Sequence, residues 1–124
     1  MAYTSEFLVP VSNAALARID AGTGPAKFVI KTSGGTVLAN LYLTEPAGTV
    51  DGNGVLTLTS AGPETDAPNG GTAALADLVD GNDVVLMDNL PVQQGVSPVA
   101  GRVVISSTQI LAGGTVSLAS AVFG

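Results

Sequence analysis

The side chains able to carry chemistry in this 124-residue chain are nearly all carboxylates, because it contains no cysteine and no histidine. That removes disulfides, thiolate nucleophiles, Cys/His zinc sites, imidazole bases and Ser-His-Asp arrangements. Asp51-Gly52-Asn53-Gly54 and Asp80-Gly81-Asn82-Asp83 set carboxylate and amide oxygens on short turns, which suits a hard cation such as calcium. Neither has the spacing and terminal Glu of an EF-hand loop. Asp or Asn beside Gly is also what a hairpin turn requires, so the turn reading is preferred and no metal is expected. Glu64 with Asp66, or Asp77 with Asp80 and Asp83, could act as acid–base carboxylates, but nothing places a catalytic partner beside them. Solvated loop charges are the better reading, so neither an enzyme nor a cofactor is expected. Gly22-Thr23-Gly24 lacks the lysine and the helix-opening context of a phosphate loop.

The elements that would position these residues follow from composition and punctuation. Hydrophobic residues make up 46% of the chain and charged residues 11%, which argues for a folded core. The length fits one domain. We divide the chain into an N-terminal arm, residues 1–11, and a single β-sandwich domain, residues 12–124. Four Lys and Arg against ten Asp and Glu give a net charge of −6, which disfavours nucleic acid as a partner. No apolar run approaches the roughly 20 residues needed to span a bilayer. The first residues lack the basic and apolar regions of a secretory signal. No membrane association is expected.

Helix grammar occurs once, over residues 12–22, where Ser12 or Asn13 can cap, alanines favour the helix and Gly22 can stop it. From Ala26 onward, short β-branched stretches are separated by Gly, Asn, Asp and Pro about every ten residues. Lys27 to Lys31 and Thr36 to Thr44, joined across Ser33-Gly34-Gly35, form a hairpin. Glu45 to Gly48 breaks the second run, Asp51 to Gly54 turns the chain, and Val55 to Thr59 is the next strand. Residues 60–71 read as a long surface loop. Residues 72–79, despite their alanines, fit the strand–turn rhythm and pair with the strand at Val84 to Asp88. An irregular Gln93-to-Pro98 link leads to strands over residues 99–106 and 115–123. Residues 108–114 form a turn carrying one apolar plug. Lys27 and Lys31 mark the solvent side, or an edge, of the first strand. The expected fold is all-β, an antiparallel β-sandwich or partly closed barrel of about seven short strands with a short N-terminal helix.

Few charges and only 4% aromatics leave a thin core and a lightly charged surface, a balance that favours coverage by neighbouring subunits. The apolar residues Tyr3, Phe7 and Val9 precede any domain-like pattern, so the arm either packs on its own domain or reaches a neighbour. With Pro63 and Pro68 of the long loop, these are the candidate subunit contacts.

An alanine-rich helical start runs into Thr23-Gly24-Pro25-Ala26-Lys27-Phe28-Val29-Ile30. There follow Val37-Leu38-Ala39-Asn40-Leu41-Tyr42-Leu43, Gly54-Val55-Leu56-Thr57-Leu58, Gly70-Gly71-Thr72-Ala73 and Ile110-Leu111-Ala112-Gly113-Gly114-Thr115-Val116-Ser117-Leu118. This order of features resembles small β-rich structural proteins of tailed bacteriophages, of the capsid decoration or cement kind. The resemblance covers most of residues 14–123; the Pro91-to-Pro98 link and the N-terminal arm depart from it. It implies a non-enzymatic virion subunit made in the bacterial cytoplasm and sited on the capsid surface. There it would bind the major capsid protein and copies of itself, commonly as a homotrimer, and Tyr3, Phe7, Val9 and the Pro63–Pro68 loop would make the contacts. A collar, tail or fibre subunit is the alternative. A host-surface glycan-binding module is a third reading, weakened by the absence of Trp and the presence of only two Tyr.

Overall fold

Period-two alternation of apolar residues becomes, in the computed structural model, strands with one buried and one outward face at residues 27–31 and 56–60. The structure describes residues 4–95, 97, 99 and 101–123. A helix, α1 (Ser5–Ile19), precedes β1 (Lys27–Lys31), β2 (Val37–Val50), β3 (Leu56–Ser60), β4 (Gly71–Thr72), β5 (Leu75–Val79), β6 (Val85–Gln94), β7 (Val103–Ile105), β8 (Gln109–Ile110) and β9 (Leu118–Phe123). Seven strands close into a barrel in the order β1-β2-β3-β9-β7-β6-β5, while β4 and β8 pair separately. β1 shows the pattern best: Phe28 and Ile30 are fully buried, and Lys27, Val29 and Lys31 face outward. Ala39, Leu41 and Leu43 of β2, Ala76 and Leu78 of β5, and Val103 and Ile105 of β7 complete the inner surface. Inward alanines let the walls of so small a barrel approach, and the leucines and Phe28 fill what is left.

Both ends of the barrel are covered. β2 and β5 each run antiparallel to β1, so the turns that follow them, residues 51–54 and 80–83, lie at the same end. α1 fastens there. Ser12 Oγ donates to the Gly54 carbonyl at 2.5 Å, Arg18 Nη1 to Asp80 Oδ2 at 2.7 Å, and the Ala47 N–H donates to Asp20 Oδ1 at 2.9 Å. Ile19 enters the core beneath the helix. At the other end, Ala67, Ala73, Ile110 and Val116 close the same core from β4, β8 and the loops around them. Among the described residues, no helix is long and apolar enough to cross a membrane.

The all-β expectation with one helix holds. The sheet closes completely, so it is neither a sandwich nor a partly open barrel. The hairpin at residues 27–44, the strand in residues 72–79 and the turns at 51–54 and 80–83 are observed. Other expectations are corrected. The helix begins at Ser5 instead of Ser12, and the arm's Phe7, Val9 and Pro10 lie within it. Ser12 is a mid-helix residue bonded to Gly54 instead of a cap. β2 continues through Glu45 to Gly48, where its pairing with β3 skips from Leu43 to Gly48 and asks nothing of the N–H that Pro46 lacks. β6 likewise runs through Pro91 to Gln94, while β7 and β9 are shorter than expected. β6 and β7 are parallel, not antiparallel, with Val92 to Gln94 beside Val103 to Ile105. β1 lies between β2 and β5, so its lysines mark the outer face of an interior strand and not an edge.

Candidate functional site

The long loop of residues 61–70 follows β3 and lies at the end opposite α1. It is pinned by backbone hydrogen bonds. Glu64 and Val116 exchange N–H and carbonyl at 2.9 and 2.8 Å, the Ala67 N–H donates to the Gly114 carbonyl at 3.1 Å, and the Gly113 N–H donates to the Ala67 carbonyl at 2.7 Å. Asn69 Nδ2 adds a bond of 2.9 Å to the Val37 carbonyl. Pro63 and Pro68 are exposed on this loop. Beside it, the turn after β8 presents Leu111, 78% exposed, and closes on itself through the Gly114 N–H and Leu111 carbonyl at 2.8 Å. Backbone atoms of Ile110 to Ala112 lie directly against Gly70. This end of the barrel therefore displays Pro68, Leu111 and, behind Asn69, the partly exposed Val37 on a hydrogen-bonded scaffold.

The other candidate contacts lie elsewhere. Phe7, 53% exposed, and Val11 occupy one face of α1 one turn apart, and Val9 is half-buried. Exposed Val84 and Val85 follow the turn at the same end. Tyr3 lies outside the described residues. The structure thus does not bring Phe7 and Val9 together with Pro63 and Pro68, because they lie at opposite ends of β3. Leu111 was not singled out from sequence. The apolar plug of that turn is Ile110, which is buried, and the pleat sends its neighbour to the opposite side.

The acidic turns are built alike. Asp51 Oδ1 accepts the N–H groups of Asn53 and Val55 at 2.8 and 3.0 Å, and Asp80 Oδ1 accepts those of Asn82 and Val84 at 2.9 Å each. Gly54 and Asp83 supply the left-handed residue at matching positions, as in a hairpin whose type I turn is followed by a bulge. Asp77 is engaged by Lys31 Nζ and by the Asn89 N–H, both at 3.0 Å. These carboxylates act as turn and strand fasteners.

Asp80 is 3% exposed, and the hydrogen bond from Arg18, followed by that from the Val84 N–H, holds its carboxyl below the usual range despite its burial. A carboxylate with a depressed pKa contributes stability above its unfolded pKa of about 4 and loses it as pH falls through the folded value. Unfolding measured by urea between neutral and acid pH should show the native chain losing stability below about pH 4 more steeply than Asp80→Asn does. Parallel curves would contradict the role given to this pair.

A shallow groove of about 200 Å³ lies on the outer wall, lined by Asn40, Tyr42, Ala61, Gly62, Pro63 and Glu64. Asn40 and Tyr42 share the outer face of β2, and the Ala61 N–H bonds the Tyr42 carbonyl at 2.9 Å. Tyr42 is 46% exposed, and Lys27 Nζ stands 5.7 Å from its ring centroid. Sequence held no sign of this groove, since its two walls are separated along the chain and are joined by that backbone bond. No family model, curated protein or solved structure matches this chain.

Proposed function

We propose that this protein is a structural subunit of a tailed-bacteriophage virion, a decoration or cement protein that binds the outer shell and stabilises it through many copies. The observation that carries the reading is the apolar end of the barrel, where Leu111 stands exposed on a hydrogen-bonded turn beside the loop that carries Pro68. A pre-ordered scaffold loses little entropy on docking. A closed barrel presents few free strand edges, which limits attachment to side-chain surfaces. The sequence resemblance to phage structural proteins points the same way. Each copy makes a modest contact, and multivalent attachment raises the total. At the helix end, the exposed Phe7 and Val11 of α1 and the exposed Val84 and Val85 supply further apolar side chains suited to copies of the same chain.

Purified protein added to undecorated expanded shells should co-sediment with them to saturation. Leu111→Asp, which alters an exposed side chain and leaves the core intact, should weaken that binding at least ~10-fold, the effect of losing an interface anchor. Undiminished binding by this variant would remove the barrel end from the contact, and absence of any binding would remove the shell as partner.

A further inference from the structure

The groove beside Tyr42 combines features that shell attachment does not require. Tyr42 presents a half-exposed aromatic ring, and Asn40, two residues earlier on the same strand, faces the same way. Glu64 reaches the groove from a loop that its own backbone pins to Val116. Among the described residues, the Asn40 amide and the Glu64 carboxylate have no side-chain partner. The carboxylates of Asp20, Asp51, Asp77 and Asp80, by contrast, are occupied by backbone or basic groups. An aromatic wall is therefore flanked by one group that only accepts hydrogen bonds and another that both donates and accepts.

Size and charge narrow the ligand. About 200 Å³ is less than the roughly 300–1,000 Å³ of sites for drug-sized molecules, so the groove suits a single small ring. Lys27 Nζ already stands over the Tyr42 ring and pairs with Asp83 Oδ1 at 3.6 Å, so a ligand cation would have to compete with it for the ring. Glu64 and a net charge of −6 oppose an anion. A neutral polyol meets neither objection: its C–H face packs on the ring, and its hydroxyls donate to Glu64 and exchange bonds with Asn40. We infer that the groove binds one neutral hexopyranose unit of a carbohydrate. A single tyrosine offers one stacking surface, so the site is a weak one. The inference does not depend on shell attachment. On a particle carrying many copies, weak sites of this kind would add up to adhesion to a glycan-coated surface.

The test is an NMR titration of isotopically labelled full-length protein with the methyl glycosides of glucose, galactose, mannose and N-acetylglucosamine. Methylguanidinium serves as the cationic control. At least one neutral glycoside should give saturable amide shifts at Asn40, Tyr42 and residues 61–64, with a millimolar dissociation constant. Tyr42→Ala should weaken this binding at least ~10-fold while the remaining amides keep their positions, and Glu64→Gln should weaken it less. Three results would overturn the inference: no saturation with any of the four sugars, shifts that persist unchanged in Tyr42→Ala, or methylguanidinium occupying the groove in place of the sugars.

Discussion

Phe28→Ala is expected to cost about 3–5 kcal/mol of folding stability, the usual loss for truncating a buried aromatic. Among the described residues, Phe28 is the largest of the fully buried side chains. It points inward from β1, with Leu41 of β2 and Leu78 of β5 as its register partners on either side. Both neighbours are themselves fully buried, as are Ile30, Ala39 and Ala76, the next inward residues of the same three paired strands. Few side chains can therefore move into the vacated volume, which places the loss toward the upper part of the range. A domain of ordinary stability, about 5–15 kcal/mol, would keep only a fraction of it. Urea unfolding should show a lower midpoint at an unchanged slope. A loss under about 1 kcal/mol would mean that the barrel interior collapses freely around the gap.

The second large effect is expected at Gly54, where two requirements coincide. Its φ of +82° lies in the region where an L side chain costs about 1–2 kcal/mol. A Cβ placed there would also fall 2.7 Å from the Leu8 carbonyl carbon and closer still to its Cβ, so the helix must move. Moving it strains the Ser12 bond to the Gly54 carbonyl. Gly54→Ala should therefore lose more than the conformational cost alone, at least about 3 kcal/mol in total. It should also raise amide exchange across α1 before that of the barrel strands. Gly52→Ala, in the same turn with nothing near its Cβ, is the matched control and should cost little. Equal stability of the two variants would contradict the close seating of α1 on this turn.

These residues also show what could be read in advance. The hairpin of β1 and β2 was legible because Phe28 and Ile30 alternate with charges and Gly34-Gly35 follows. The Asp-Gly-Asn turns were legible because their chemistry is local. The helix start was not. Pro10 reads as a breaker because it cannot donate to the Glu6 carbonyl, whereas seating Leu8 on Gly54 and Ser12 on its carbonyl favours the longer helix. Barrel closure was likewise hidden. It depends on β3 meeting β9 through Leu56–Phe123 and Thr57–Val122, and on the parallel pairing of β6 with β7, contacts that no local period encodes. Among the contact candidates, Pro63 and Pro68 were marked by composition. Leu111 and the Tyr42 groove were not, because each depends on which way a strand faces and on what a distant loop brings beside it.

The proposed attachment to a viral shell is decided by a cryo-electron microscopy reconstruction of the parent particle. Density for this barrel is expected over the whole outer surface at a fixed ratio to the major capsid protein, with the Leu111 end facing the shell. A single ring at the collar or tail would contradict the cement assignment, and absence of the chain from the particle would contradict a virion role altogether.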